Sequence, residues 1–159
     1  MLHRLASFDD AKVLGELNHQ LIQDEGLRNP MTVPELVNRM RHWLETDYRA
    51  YIFADDFEIV AYALYREDKD HLYLRQFFVK RQKRRASIGR QCMKILFSQV
   101  WPQDKRITVD VLCHNEVGIA FWRVMGFTDY CLTLEIYPDL RTENAKTSSK
   151  LLDGRHPCG

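Results

Sequence analysis

Leu72-Tyr73-Leu74-Arg75-Gln76-Phe77-Phe78-Val79-Lys80-Arg81-Gln82-Lys83-Arg84-Arg85-Ala86-Ser87-Ile88-Gly89-Arg90 is the stretch on which the fold turns. Leu72 to Val79 is an apolar, aromatic run of the kind that fills a strand. A basic loop follows, carrying Lys80, Arg81, Lys83, Arg84 and Arg85. An amphipathic helix then opens at Ser87. Strand, basic loop and helix in that order make an anion cradle. The first N–H groups of a helix have no intrahelical acceptor, and the helix dipole adds partial positive charge there. Gly89 lets a ligand come close to the backbone. The expected guest is a phosphate or pyrophosphate. A Lys/Arg run alone reads as a solvated loop; its place between a strand and a helix favours anion binding. Gly-x-x-x-x-Gly-Lys-Ser/Thr and Gly-x-Gly-x-x-Gly are both absent, so this is neither a P-loop nor a dinucleotide fingerprint.

Working outward, Leu2 to Ser7 reads as a short first strand. Asp9 or Asp10 caps a helix that runs to about Glu25, with Leu14, Leu17 and Leu21 on one face and Gly26 as its stop. Thr32 and Glu35 form a capping-box pattern for a second helix with Leu36, Met40, Trp43 and Leu44 as its stripe. Ala50 to Ala54, Glu58 to Arg66 and Leu72 to Val79 read as an antiparallel meander. Ser87 to Val100 is the next helix, burying Ile88, Cys92, Ile95 and Leu96. Ile107 to Leu112 is a strand, Glu116 to Met125 a short helix stopped by Gly126, and Phe127 to Ile136 a last strand. The order β-α-α-β-β-β-α-β-α-β predicts an α+β fold, a mixed, mostly antiparallel sheet with helices on both faces. Residues 1–137 are expected to form one domain. Residues 138–159 read as a polar tail, loosely attached or disordered, because Thr142 to Lys150 is poor in apolar residues.

The chain has 159 residues, enough for one domain with a real core. A net charge of +1 argues against general electrostatic binding to nucleic acid and leaves the basic character local to residues 80–90. No apolar run approaches the ~20 residues that span a bilayer. Met1 to Leu5 has no apolar core behind it, so a secretory signal is not expected. Cys92, Cys113, Cys131 and Cys158 lack the paired spacing of a zinc site, and no metal is expected. Three of them sit among apolar neighbours and read as small core residues. A reducing, cytoplasmic setting follows.

Two segments resemble the GNAT superfamily of acyl-CoA-dependent N-acyltransferases. Arg84-Arg85-Ala86-Ser87-Ile88-Gly89 resembles the family's Gln/Arg-x-x-Gly-x-Gly/Ala, with Ser87 in place of the first glycine. Asn115-Glu116-Val117-Gly118-Ile119-Ala120-Phe121-Trp122-Arg123-Val124-Met125-Gly126-Phe127 resembles Asn-x-x-Ala-x-x-Phe-Tyr-x-x-x-Gly-Phe, matching at Asn115, Phe121, Gly126 and Phe127. The likeness covers residues 1 to 136. It implies acetyl-CoA, with its pyrophosphate on the amides of Arg84, Arg85, Ala86, Ser87, Ile88, Gly89 and Arg90. Arg84, Arg85 or Lys83 would meet the 3′-phosphate. It further implies pantetheine beside Phe77, Phe78 and Val79, with Asn115 and Phe121 on its other side. Backbone N–H groups of Phe78 and Val79 would face the thioester.

Trp122 stands where many members carry a tyrosine that protonates the departing thiolate. An indole cannot transfer a proton at useful pH, so Trp122 reads as a packing residue. Three readings stand side by side: a thiolate leaving with modest help, since an alkyl thiol has pKa near ~8.5; a hydroxyl supplied by Tyr130; or a protein that binds acyl-CoA and catalyses poorly. Asp24 and Glu25 end the first helix, where acidic groups oppose the dipole, so both are candidate acceptor ligands and Glu25 a candidate base. The same residues also read as simple surface charge. Gln76 is a further candidate for orienting the acceptor, and His114 and His19 are lesser candidates for a base.

The resulting expectation is an N-acetyltransferase in which a primary amine attacks acetyl-CoA directly in a ternary complex. The two carboxylates tilt the acceptor toward a small cationic molecule, with an amino acid or a protein N-terminus still open. A homodimer would be in keeping with the resemblance. The rivals are a non-catalytic acyl-CoA-binding module and a nucleic-acid-binding protein using the Lys80–Arg90 patch.

Overall fold

The computed structural model describes residues 1–153. Met1–Phe127 form one compact unit and the chain from Thr128 onward another. The first unit contains β1 (Leu2–Leu5), α1 (Ala11–Glu25), α2 (Val33–Glu45), β2 (Tyr48–Asp55), β3 (Glu58–Glu67), β4 (His71–Val79), α3 (Ile88–Ile95), β5 (Arg106–Val109) and α4 (Glu116–Val124). The strands make one sheet in the order β1-β2-β3-β4-β5. Every pairing is antiparallel except β4 with β5, which is parallel.

Local chemistry sets the helix ends. The Asp10 carboxylate accepts the Ser7 N–H at 2.7 Å and two Arg4 guanidinium nitrogens, at 2.7 and 2.8 Å, which fixes the N-cap of the 3-10 turn before α1. Gly26 takes a left-handed conformation at φ 61°, and Leu27 N–H returns to the Ile22 carbonyl. This closes α1 as the sequence predicts. The Thr32 N–H donates to Glu35 at 2.6 Å, one half of the capping box of α2. Gly15 lies buried inside α1, where glycine weakens a helix unless packing requires it. A Cβ there would lie 2.8 Å from Val37 Cα, so glycine is what lets α1 and α2 pack backbone to backbone.

The core has two layers. On one face, Leu14, Leu17 and Leu21 of α1 and Met40 and Trp43 of α2 pack on Tyr48, Ala50, Ile52, Tyr62, Leu64 and Phe78. On the other, Cys92, Met93 and Leu96 of α3 and its extension, with Trp122 of α4, pack on Phe53, Ala61, Ala63, Tyr65, Leu72 and Leu74. Burial of burial-prone side chains on both faces is what makes β3 nearly uninterruptedly apolar.

A bulge in β4 positions the site. Leu64 pairs with Gln76 and Tyr65 with Leu74, so Arg75 is unmatched. Leu72 and Leu74 belong to the α3 layer and Tyr73 to the α1/α2 layer. Past the bulge the assignment inverts: Phe78 joins the α1/α2 layer and Phe77 and Val79 the α3 layer. The bulge also ends the parallel ladder. β4 and β5 pair from His71↔Arg106 to Leu74↔Val109, and β4 then runs on to Val79 without β5.

Several expectations are corrected. Thr128 to Tyr137 forms no strand, although Tyr130, Leu132, Leu134 and Ile136 alternate as a strand would. Alternation supplies a side-chain pattern, and a strand also needs a neighbour to take its backbone hydrogen bonds. β5 stops at Val109 instead of Leu112. The helix expected over Ser87 to Val100 is α3 followed by a π-type turn, Leu96–Val100. The polar segment after Tyr137 is helical, α5 (Pro138–Asp153), with Pro138 at its first position and Asp139 in its first turn, both helix-opening residues. Among the described cysteines only Cys92 is buried, and Cys113 and Cys131 are exposed. Burial pushes the Cys92 thiol up to about 12, which makes it inert as a nucleophile. Cys158 lies outside the described residues.

Candidate active site

The residues predicted to bind the cofactor come together around the open end of β4. Lys80 N–H donates to the Val60 carbonyl at 2.9 Å, on the β3 side. Backbone groups alternate along a strand, so the N–H of Phe78 faces β3 as well. Those of Phe77 and Val79 face the wedge left where β5 ends. Of the two amides expected to face a thioester, this geometry retains Val79 and exchanges Phe78 for Phe77.

The loop after Val79 closes the wedge. Arg85 and Ser87 both hold positive φ, 65° and 61°. A non-glycine residue pays about 1–2 kcal/mol for this conformation. Ser87 is also the N-cap of α3, so the strained residue is the one that turns the first α3 amides out of the loop. Arg85, Ala86, Ser87 and Arg90 are exposed, and Ile88 and Gly89 half-buried.

The loop cations have distinct roles. Lys80 pairs with Glu58 at 2.9 Å and Lys83 with Asp55 at 3.5 Å, both on the β2–β3 hairpin. Arg81 and Arg84 both pair with Asp24, at 2.6 and 2.5 Å. Arg84 Nε also donates to the Val79 carbonyl at 2.8 Å, and its guanidinium lies over the Phe78 ring. Arg85 and Arg90 have no carboxylate partner among the described residues. They are the loop's available cations.

The second motif builds the wall of the wedge. Asn115 caps α4, its Oδ1 accepting the Gly118 N–H at 3.0 Å. Phe121 stacks on Phe77 with centroids 5.8 Å apart and planes 13° apart. Gly89 lets it do so, since a Cβ there would sit 3.1 Å from the Phe121 ring. Trp122 is buried and packs edge-on against Phe77, Phe121 and Phe127. It is a packing residue, as its chemistry predicts.

On the opposite face of β4 the acceptor candidates separate. Asp24 is taken by the two arginines. Glu25 is half-buried, and burial holds its carboxyl above the usual range, with Arg84 and His114 drawing it down and Asp24 pushing it up. His114 Nε2 lies 3.3 Å from the Glu25 carbonyl, which brings the β5–α4 loop to the end of α1. Gln76 Oε1 accepts the hydroxyl of Tyr62 at 3.0 Å. Tyr62 is fully buried, and burial raises its pKa far above that of a free phenol. Tyr130 falls in the second unit and is exposed. His19 is half-buried on α1.

Sequence reasoning missed Tyr62, Arg39 and Asn18, which line the same face. Arg39 Nη2 donates to Asn18 Oδ1 at 2.9 Å, and its guanidinium lies 4.4 Å from the Trp43 ring centroid. The available signal was Arg39 four residues before Trp43 on α2, a spacing at which side chains meet.

The wedge, the strained loop and the exposed Arg85 and Arg90 fit a long phosphorylated thioester: unpaired strand amides for its amide arm, helix amides and cations for its phosphates. Comparison with known proteins agrees. The acetyltransferase (GNAT) family model matches residues 18–127. Among curated proteins no sequence is significantly similar. Among solved structures, a mutant of the BH1408 protein from Bacillus halodurans is 20% identical, with 86% of this chain and 99% of that chain covered and a TM-score of 0.71. A predicted acetyltransferase from Clostridium acetobutylicum, solved with acetyl-CoA, is 17% identical over 86% and 95% of the chains, with a TM-score of 0.68. The aminoglycoside N-acetyltransferase AAC(6′)-Iy, in complex with CoA, is 13% identical over 86% and 93%, with a TM-score of 0.69.

Proposed function

Because the chain belongs to the GNAT family of acetyltransferases, we propose that it transfers an acetyl group from acetyl-CoA to a primary amine by direct attack in a ternary complex. The observation that carries this reading is the end of the β4–β5 ladder at Leu74↔Val109 while β4 continues to Val79. It leaves the N–H groups of Phe77 and Val79 without a strand partner among the described residues, beside a loop that opens a helix.

When bound, acetyl-CoA supplies a thioester-activated acetyl group. In this reading the N–H groups of Phe77 and Val79 hold negative charge developing on an acyl oxygen. The amides from Ser87 to Arg90, with Arg85 and Arg90, take the phosphates. Phe121 and Asn115 keep α4 against the wedge and exclude water from its apolar side. Glu25 accepts the proton of the incoming ammonium, its raised pKa bringing it closer to the range useful for a base. Asp24 is committed to Arg81 and Arg84, which removes one of the two carboxylates that favoured a cationic acceptor. The free Cys92, Cys113 and Cys131 support a reducing, cytoplasmic setting.

Calorimetric titration with acetyl-CoA, followed by a thiol-release assay across amines, tests the proposal. Micromolar binding with amine-dependent release of CoA is expected. Binding without release from any amine would leave a non-catalytic acyl-CoA-binding module, and no binding would overturn the reading.

A further inference from the structure

Two arginines meet on the acceptor face of β4 without a counterion. Arg39 of α2 and Arg75 of the β4 bulge both lie over Trp43, at 4.4 and 4.7 Å from the ring centroid. Arg75 also donates to the Tyr48 hydroxyl at 3.3 Å. Arg66 nearby, over the same Tyr48 ring, is neutralised by Asp68 at 2.7 Å. Neither Arg39 nor Arg75 has a carboxylate partner among the described residues. The surroundings are rich in donors and poor in acceptors. Asn18 is fully buried with its Nδ2 unbonded, and the buried Arg39 Nε likewise finds no acceptor. Like charges on one indole repel, and stranded buried donors cost stability. Arg75 is exposed, so the pair is open to solvent from its side.

Tyr62 couples this pair to the proposed base through charge. The Tyr62 hydroxyl lies within electrostatic reach of both Glu25 and Arg39 and is held by Gln76 beside Arg75. The bulge at Arg75 is what turns Arg75 and Gln76 to the same face.

We propose that Arg39 and Arg75 form a carboxylate site, and that the acceptor is an α-amino acid or similar amino carboxylate, its amine toward Glu25 and its carboxylate on the two guanidiniums. The inference rests on the acetyl-transfer reading and narrows its acceptor class. A planar carboxylate matches the guanidinium fork and neutralises the like charges that meet at Trp43.

The test compares each standard amino acid with its carboxamide and its decarboxylated amine in the CoA-release assay. Expected is a preference for the acid of tenfold or more. Arg75→Gln should raise KM for it about tenfold to a hundredfold, with kcat and acetyl-CoA affinity unchanged, and Arg39→Lys should do the same. Equal use of acid, amide and amine overturns the inference, as does an unchanged KM in Arg75→Gln. A second readout needs no turnover: ligand-observed NMR with N-acetyl amino acids and their carboxamides, and with inorganic phosphate as competitor. Binding of the acids alone, lost in Arg75→Gln, is expected. Failure to prefer the acids, or binding of phosphate alone, refutes the carboxylate site even if acetyl-CoA binds. Preference for the acids without acetyl-CoA binding keeps the site and rejects the acetyl-transfer reading.

Discussion

Asp24 and Arg84, sixty positions apart in sequence, form an ion pair of 2.5 Å that ties the end of α1 to the loop after β4. Asp24 is largely buried there, 12% exposed, and Arg84 adds a bond to the Val79 carbonyl. The two loop arginines should therefore differ in consequence. Arg84→Ala removes the clamp on the strand end and is expected to weaken acetyl-CoA binding by about tenfold. Arg81→Ala removes one exposed pair and is expected to change it little. Calorimetry on both variants checks this, and equal losses would show that the loop acts only through net charge.

Ser87 occupies a glycine-like conformation without being glycine. Ser87→Gly should raise stability by about 0.5–1 kcal/mol, the relief of φ strain being partly offset by the freer unfolded chain. Ser87→Val should lower it, because a branched Cβ tolerates positive φ poorly. Urea unfolding midpoints measure both. A loss of stability in Ser87→Gly would mean that the serine side chain contributes more than its backbone costs.

Gly15→Ala forces a Cβ against Val37 backbone atoms at 2.8 and 2.9 Å. Neither helix can yield without moving the acceptor face. The expected cost is about 1–3 kcal/mol, read as a lower Tm. An unchanged Tm would show that the α1–α2 contact is softer than its geometry.

The pH dependence of turnover isolates Glu25. Burial raises its pKa in the folded protein, so its base form accumulates only at a pH above the ordinary carboxylate range, and the acid limb of kcat/KM shifts upward accordingly. Glu25→Gln should abolish that limb and lower kcat/KM by about a hundredfold, with recovery above the pKa of the amine itself. The linked stability has the opposite slope. The neutral carboxyl favours the fold, so this contribution is full below the unfolded value of about 4.3 and is lost as pH rises through the folded one. An acid limb unchanged in Glu25→Gln would remove Glu25 from catalysis.

The fold was legible where side-chain period and punctuation agreed. Gly26 and Thr32–Glu35 marked the ends of α1 and α2, and the aromatic run from Leu72 marked β4. Patterns that depend on a distant partner misled. Tyr130 to Ile136 alternates but forms no strand, and Leu112 extends the β5 pattern past the last residue that has a ladder. The cofactor side of the site was readable because a strand, a loop and a helix contribute to it contiguously. The acceptor side was not. Arg39, Asn18, Tyr62 and Arg75 come from four elements, and only folding brings them to one face. Asp24 looked like a free carboxylate because its arginine partners lie far along the chain.

The unmatched Arg75 is a phase slip in the pleat of β4. Before it, even-numbered residues face α3; after it, odd-numbered ones do. Pairing the same residues without the bulge would restore a single phase and send Phe78 and Phe77 to each other's layers, into space shaped for the wrong ring. The strand therefore reads two neighbours in two registers, and its core residues on both faces hold the slip at one position. Donor and acceptor surfaces lie on opposite sides of the same few residues, so neither can be re-cut by shifting the strand without dislodging the other.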